Sequence, residues 1–242
     1  MSRGVVPLMG LEAGLGALRA AQTPPGREGW RPWPSRGAAR VFLVTEGEAK
    51  GRLAGAGISV PVGVCAPDLA DLRIAARHLR PPLVLKGLGF AHKSENGAVR
   101  LGLDDLDGQE DMPGVSGYLV EEMVQATVAE LLLGIRRDPV YGVALTLGFG
   151  GVTAELLADT VTLICPASVS EIAAALRRLR LWPLLDGYRG RARGDVAAVV
   201  DVALRLQAMM QEPTVEEIEI NPLMVLAKGV VAVDAVIWEY RT

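Results

Sequence analysis

Residues 215–238 read VEEIEINPLMVLAKGVVAVDAVIW, and this stretch decides the fold. Two apolar runs flank Lys228-Gly229, a pattern that predicts an antiparallel hairpin at the end of the chain. If these two residues form the whole loop, Ala227 pairs with Val230. Every other strand position in the hairpin can then be assigned to one face of the sheet.

Counting back from that loop puts Leu223 opposite Asp234. Glu219 and Asn221 share the face of Leu223, and Asp234 joins them across the strand pair. Two carboxylates and an amide therefore converge, and such oxygen ligands suit Mg²⁺, which binds one or two carboxylates together with substrate phosphates. A solvated sheet face, where acidic residues are also common, is the alternative interpretation.

The rest of the chain mixes helix and strand signals without regular strand-helix-strand repeats. Capping boxes at Thr45-x-x-Glu48 and Ser168-x-x-Glu171 begin two predicted helices, and Asp68 and Asp195 cap two more. Short apolar runs between turn residues predict strands at 83–86, 98–103, 117–123, 130–136, 140–147 and 152–157. This order favours an α+β architecture with largely antiparallel sheets.

The composition indicates a globular chain. Of its 242 residues, 50% are hydrophobic and 22% are charged, and the net charge is -3. A net negative charge gives no general attraction to nucleic acid, no apolar run is long enough to span a membrane, and no secretory signal is evident. We therefore expect a cytoplasmic protein. Cys65 and Cys165 lie outside any CxxC spacing, which favours two buried thiols over a disulfide or a zinc site.

Residues 1–40 differ in character from the rest of the chain. A short helical pattern is followed by TPPGREGWRPWPSRG at 23–37, where proline and glycine oppose regular structure. We expect a linker that follows a preceding domain.

Several polar residues near strand ends could bind a phosphorylated ligand. Lys86 follows the apolar run PPLVL, and an ammonium at such a position can meet a phosphate, although a lysine at the end of a strand is usually just a solvated one. The segment that contains His92 and ends at Gly97 could close over phosphates through backbone N–H groups, or it could be a simple hairpin turn. Glu121 and Glu130 are acceptors at the end and the start of strands.

Taken in order, these segments resemble the ATP-grasp part of the ADP-forming acyl-CoA synthetases, a family related to succinyl-CoA synthetase. The resemblance extends from about residue 45 to residue 237. It rests on TEGEAKGRLAGAGISVP, LVLKGLGFAHKSENGAVRL, YLVEEM, ELLLGIRRDPVYG, LGFGGVTAELLAD, LLDGYRGRARGDV and IEINPLMVLAKGVVAVDA. It implies an ATP-grasp fold with subdomains at 41–117 and 118–242, preceded at 1–40 by the end of a CoA-ligase-type domain.

The resemblance also implies roles for individual residues. Lys86 matches the lysine that contacts nucleotide phosphates, Glu121 the acidic residue beside the adenine or ribose, and Glu130 a further acid on the nucleotide side. Asn221 and Asp234 match the Mg²⁺ ligands, with Glu219 in a supporting position.

His92 in the HKS motif matches a histidine proposed to carry the phosphoryl group, and Gly97 closes the same loop. Ala98 stands where the family usually has a second glycine, and Glu-Asn stands where Asp-Val is common.

The activity implied is the conversion of an acid, CoA and ATP to acyl-CoA, ADP and phosphate. The cofactors would be Mg²⁺ and ATP or ADP. No glycine-rich CoA-binding fingerprint occurs in the sequence, so the CoA-binding and acyl-binding sites are expected on another subunit or domain, in a hetero- or homo-oligomer.

Two alternatives remain open at this point. The first is a non-catalytic nucleotide-sensing module of a regulatory protein such as a protein acetyltransferase. The second is an ATP-grasp ligase that joins a carboxylate to an amine and needs no phosphohistidine.

Overall fold

The structure is a computed structural model that describes residues 41–89, 97–151 and 159–240, together with Leu15, Arg31 and Trp33. Its strands are β1 Val41–Val44, β2 Gly63–Ala66, β3 Leu83–Leu88, β4 Val99–Leu103, β5 Gly117–Glu122, β6 Ala129–Asp138, β7 Gly142–Phe149, β8 Thr160–Ile164, β9 Val215–Val225, β10 Val230–Ala232 and β11 Ala235–Tyr240. Its α-helices are α1 Glu46–Gly55, α2 Leu69–Ala75, α3 Val169–Arg177, α4 Trp182–Leu185 and α5 Val196–Met209.

Seven of these strands form an antiparallel sheet in the order β1-β11-β9-β6-β7-β8, with β10 paired to β9. Leu53 of α1, Leu176 of α3 and Leu206 of α5 pack into its core with Leu133 and Ile220 of the central strands. Burying a leucine contributes about 1.5–3 kcal/mol, so this core fixes β6 and β9 firmly. These two strands carry Glu130, Glu219 and Asn221.

The other four strands form a second antiparallel sheet in the order β2-β5-β3-β4. Leu72 of α2 packs against Leu85 of β3 and Val120 of β5 in a separate core. The two central strands of this sheet, β3 and β5, carry Lys86 and Glu121.

The predicted α+β class with antiparallel sheets is confirmed. Five of the six predicted strands are present with small shifts of their ends, and 152–157 lies outside the described residues. Neither β1 nor β8 was predicted. The four-stranded sheet extends to Glu122, past the predicted boundary between 117 and 118, while β1 pairs with β11 at the far end of the chain. The division into subdomains at that boundary stays a prediction.

The four predicted helix starts are confirmed. Thr45 and Ser168 form capping boxes with Glu48 and Glu171, and the Asp68 and Asp195 side chains accept backbone N–H groups of their first turns. Each cap satisfies backbone donors that the helix itself leaves unpaired.

The predicted register of the closing hairpin is wrong by two residues. Val230 pairs with Val225 rather than with Ala227, so the loop has four residues rather than two. Asp195 at the start of α5 explains the wider loop, because its carboxylate accepts the Gly229 N–H at 2.8 Å and its own N–H donates to the Leu226 carbonyl at 2.9 Å.

This change brings Asp234 opposite Asn221 instead of Leu223. The Asn221 N–H donates to the Asp234 carbonyl at 3.1 Å. Leu223 is wrongly assigned to the polar face: it is fully buried and pairs with Leu131, whereas Ile220 pairs with Leu133. The shift of register between these pairs places a bulge at Asn221-Pro222, and a bulge moves the following side chains to the other face.

Both cysteines are free thiols, as expected, but Cys65 is exposed, so the prediction of two buried thiols is wrong for that residue. Burial raises the pKa of the Cys165 thiol to about 12. Within the part of the chain that the structure describes, no helix is both long and apolar enough to cross a membrane.

Candidate functional site

Lys86 lies inside the protein rather than at a solvated strand end. Its side chain points from β3 into a cluster formed with Glu46 and Lys50 of α1 and Glu121 of β5, called here the buried quartet. Each of the four residues is at most 5% exposed. The alternative interpretation of Lys86, as a solvated lysine at the end of a strand, is therefore wrong.

The two lysines of the buried quartet share its two carboxylates. Lys86 Nζ lies 2.9 Å from Glu46 Oε1 and 3.0 Å from Glu121 Oε2. Lys50 Nζ lies 2.9 Å from the same Glu46 oxygen and also contacts Glu121 Oε1. The four side chains together are electrically neutral, which is the condition under which charges are tolerated in a protein interior.

Electrostatics keep Lys86 charged. Burial acts to lower its pKa, but the carboxylates of Glu46, Glu121 and Asp234 outweigh burial and raise the pKa above its ordinary value. For Lys50, burial and the neighbouring Lys86 charge lower the pKa, against the attraction of the two glutamates. These carboxylates, Asp234 among them, therefore favour the charged form of Lys86.

Sequence reasoning missed Glu46 and Lys50. They stand four residues apart in α1, a spacing that on an exposed helix gives an ordinary surface ion pair. The pattern of Ala49 and Leu53 could have revealed them. These apolar residues face the core, and Glu46 and Lys50 lie on the same side of the helix. Glu121, predicted to lie beside the adenine or ribose, contacts Lys50 and Lys86 through its two carboxylate oxygens.

A second group of residues lies at the bulge of β9. The Asn221 side-chain oxygen accepts the Gly151 N–H at 3.3 Å, and the Glu130 carboxylate lies against Gly151. Gly150 donates its N–H to the Glu130 carbonyl at 2.8 Å. Two predicted site residues, Asn221 and Glu130, are therefore brought together with Gly150 and Gly151 by the pairing of β6 with both β7 and β9.

One contact joins the two groups. Lys86 Nζ donates to the Val233 carbonyl at 2.6 Å, and Val233 immediately precedes Asp234. A buried cation from the four-stranded sheet thus reaches the hairpin that carries Asp234 and Asn221. A cation beside a carboxylate and an amide oxygen is a combination that accepts a phosphate together with a divalent ion.

The donor set fits Mg²⁺. Asn221 and Asp234 supply hard oxygen atoms, and Mg²⁺ completes its coordination with water and substrate phosphates rather than with a full set of protein ligands. Within the described ranges, no three His, Cys, Asp or Glu side chains converge as a metal cluster. Glu219 precedes Asn221 by two residues. The pKa of the neighbouring Glu217 is raised, first by burial and then by the negative charge of Glu219.

Of the two predicted phosphate-binding residues between β3 and β4, the structure describes only Gly97. Gly97 lies just before β4 with a positive φ of 63°, and a Cβ there would meet open space. His92 lies outside the described residues. The residue after Gly97 is held beside β3, because the Gly87 N–H donates to the Ala98 carbonyl at 2.8 Å.

Comparison with known proteins identifies related chains. The sequence profile of the ATP-grasp domain family matches residues 38–238. The acetate–CoA ligase [ADP-forming] I of Archaeoglobus fulgidus is 31% identical over 213 residues, which cover 77% of this chain and 31% of that protein. The subunit beta of acetate–CoA ligase [ADP-forming] I of Pyrococcus furiosus is 26% identical over 208 residues, which cover 79% of this chain and 90% of that subunit.

A solved structure has the same fold. The dinucleotide forming acetyl-coenzyme A synthetase 1 of Ca. Korarchaeum cryptofilum, in complex with coenzyme A and Mg-AMPPCP, superposes with a TM-score of 0.70 at 28% identity. The match covers 81% of this chain and 92% of that chain, and the phosphohistidine segment of that protein points towards its nucleotide-binding site. The chain spans only 30% and 31% of the length of the first two curated relatives that it matches.

Proposed function

Because this chain belongs to the ATP-grasp domain family, we propose that it is the nucleotide-binding, phosphoryl-transferring part of an ADP-forming acyl-CoA synthetase. The observation that carries the proposal is the hydrogen bond from buried Lys86 to the Val233 carbonyl, next to Asp234, whose own carbonyl accepts the Asn221 backbone N–H. This contact supports the proposal because it joins the cation that would bind phosphate to the strand pair that carries Asn221 and Asp234, the residues that would hold the metal. The reaction is the conversion of an acid, CoA and ATP to acyl-CoA, ADP and phosphate.

The coverage of the related proteins supports a separation of the nucleotide-binding site from the CoA-binding and acyl-binding sites. The chain covers 90% of a relative named as a beta subunit but only 31% of the longer single-chain ligase. We therefore assign the CoA-binding and acyl-binding sites to a partner subunit or to a domain outside these 242 residues. We also place the protein in the cytoplasm, where its ATP is available.

The residues of the chain have the following roles in the proposal. Lys86 binds nucleotide phosphate through its ammonium, and Asn221 and Asp234 hold Mg²⁺, with Glu219 in support. Glu130 and Glu121 lie on the nucleotide side of the site. Bound Mg²⁺ supplies positive charge that offsets the charge of the phosphoryl group during transfer.

His92 carries the phosphoryl group. An imidazole nitrogen attacks the γ-phosphorus of ATP, a P–N bond forms, the P–O bond to the β-phosphate breaks, and ADP leaves. The Gly97 end of the loop provides backbone N–H groups for the phosphate. We expect ATP labelled in its γ-phosphate to label the wild-type chain with an acid-labile phosphate and to leave His92→Ala unlabelled. Equal labelling of both chains would remove His92 from the mechanism.

Asp234→Asn tests the nucleotide site directly. We expect the affinity for ADP and ATP in the presence of Mg²⁺ to fall on the order of tenfold, or about 1.4 kcal/mol, because a charged oxygen ligand is lost. The measurement is a calorimetric titration with and without Mg²⁺. The affinity without Mg²⁺ should change little.

Asp104→Asn is the matched control, since Asp104 is exposed just after β4 of the other sheet. Thermal unfolding of both variants checks that they are folded. Unchanged Mg²⁺-dependent binding by a folded Asp234→Asn chain would exclude Asp234 as a metal ligand.

A further inference from the structure

We propose that Lys50 is a positioning residue whose charge allows Lys86 to leave its carboxylates and bind nucleotide phosphate. This inference rests on the proposed function and concerns a residue that does not itself contact the nucleotide. Its basis is the sharing of two buried carboxylates by two buried lysines.

Three oxygen atoms surround the Lys86 ammonium in the structure. Lys86 Nζ donates hydrogen bonds to Glu46 Oε1 at 2.9 Å and to the Val233 carbonyl at 2.6 Å, and it forms an ion pair with Glu121 Oε2 at 3.0 Å, an oxygen without a hydrogen-bond partner among the described residues. An ammonium has three donors, of which two are thus engaged. A phosphate oxygen that accepts the third donor competes with the ion pair to Glu121.

The contact with Glu121 is the one best suited to be exchanged. It is the longest of the three at 3.0 Å, and Lys50 already holds the other oxygen of the same carboxylate. Lys50 also contacts Glu46, to which it is tied by the i, i+4 spacing of α1. When Lys86 turns away, both carboxylates consequently keep a cation.

The charge of Lys50 limits the negative charge that stays buried when Lys86 leaves the buried quartet. When Lys86 moves to a phosphate, the remaining three members of the buried quartet carry a net charge of -1. Without Lys50 the remaining two glutamates would carry -2, and burying uncompensated charge is strongly unfavourable. The glutamates would therefore hold Lys86 back from the nucleotide.

A double substitution restores the balance. In Glu46→Gln/Lys50→Met the quartet is again neutral before nucleotide binds, and departure of Lys86 leaves -1 on Glu121, as in the wild type. The glutamine that replaces Glu46 keeps an amide oxygen as an acceptor for Lys86. A residue that acted merely through packing would give the opposite result, because the second substitution would add to the damage of the first.

The test is a calorimetric titration of the full chain with ADP and Mg²⁺, with thermal unfolding measured on each variant. We expect Lys50→Met to weaken binding on the order of tenfold and the double variant to return to within about threefold of wild type. Lys50→Arg, which keeps the charge, should also bind well. Lys228→Met, which removes an exposed lysine in the hairpin loop, is the matched control and should bind as wild type does.

Each outcome decides the matter. Unchanged binding by Lys50→Met, or a double variant that binds no better than the single variant, overturns the inference and leaves the proposed function intact. If Lys50→Met does not fold, the double variant and Lys50→Arg decide, and weak binding by both overturns the inference. If the wild-type chain binds no nucleotide, both the proposed function and this inference are wrong.

Discussion

Lys86→Met should lower the free energy of unfolding by about 3–5 kcal/mol, because removing one partner of a buried ion cluster leaves its counter-charge buried. The loss arises at Glu46 and Glu121, whose carboxylates would share one lysine instead of two. Nucleotide binding should be lost as well. Urea unfolding followed by circular dichroism measures the first effect, and calorimetry measures the second.

A second variant separates stability from binding. Lys86→Met/Glu121→Gln leaves Glu46 and Lys50 as a neutral pair at 2.9 Å, so most of the lost stability should return while nucleotide binding stays absent. Lys228→Met is again the control for removing a lysine. If Lys86→Met is as stable as wild type, the buried quartet does not carry the charges that we assign to it.

Gly150→Ala should reduce Mg²⁺-dependent nucleotide binding on the order of tenfold and lower stability by about 1–3 kcal/mol, the usual cost of overpacking. A Cβ at this position would lie 2.8 Å from the backbone carbon and oxygen of Leu131 and 3.0 Å from Asn221 Oδ1. The Leu131 backbone is hydrogen-bonded within the sheet, so moving it aside would cost free energy. The Asn221 side chain, a proposed metal ligand, is therefore expected to be displaced.

Gly51→Ala provides a matched control for this substitution. Gly51 is exposed in α1, and a Cβ there would meet no atom within 4 Å. Alanine in a helix interior is favoured over glycine by about 0.5–1 kcal/mol, so this variant should be slightly more stable and bind nucleotide normally. Normal nucleotide binding by Gly150→Ala would mean that the close approach of Gly150 to Asn221 does not shape the site.

Local signals explain most of what the sequence predicted. The four helix caps depend on side chains within three residues of the helix start, so they were visible in the sequence and are confirmed. The hairpin was also visible, but its register was not, because the length of its loop depends on Asp195, which is distant in sequence from Gly229. The bulge at Asn221-Pro222 likewise depends on pairing with β6.

The buried quartet could not be predicted from local patterns. Glu46 and Glu121 are 75 positions apart in the chain, and no periodicity connects α1 with β5. Lys86 and Asp234 were each identified singly, by the resemblance and by their strand positions. Their proximity follows from the hydrogen bond of Lys86 to the Val233 carbonyl between β10 and β11, a contact between distant parts of the chain that local sequence patterns do not predict.

The pairing of β1 with β11 has a consequence for how the protein is made. Val41 lies opposite Tyr240, so the first strand of the seven-stranded sheet finds its partner only when the last one has left the ribosome. The four-stranded sheet, contained within 63–122, can assemble long before that point. During synthesis β1 therefore stays without its partner strand while almost two hundred residues are added. Pairings this distant in sequence form slowly and leave strand edges open to association with other chains, so this segment is exposed to aggregation during synthesis.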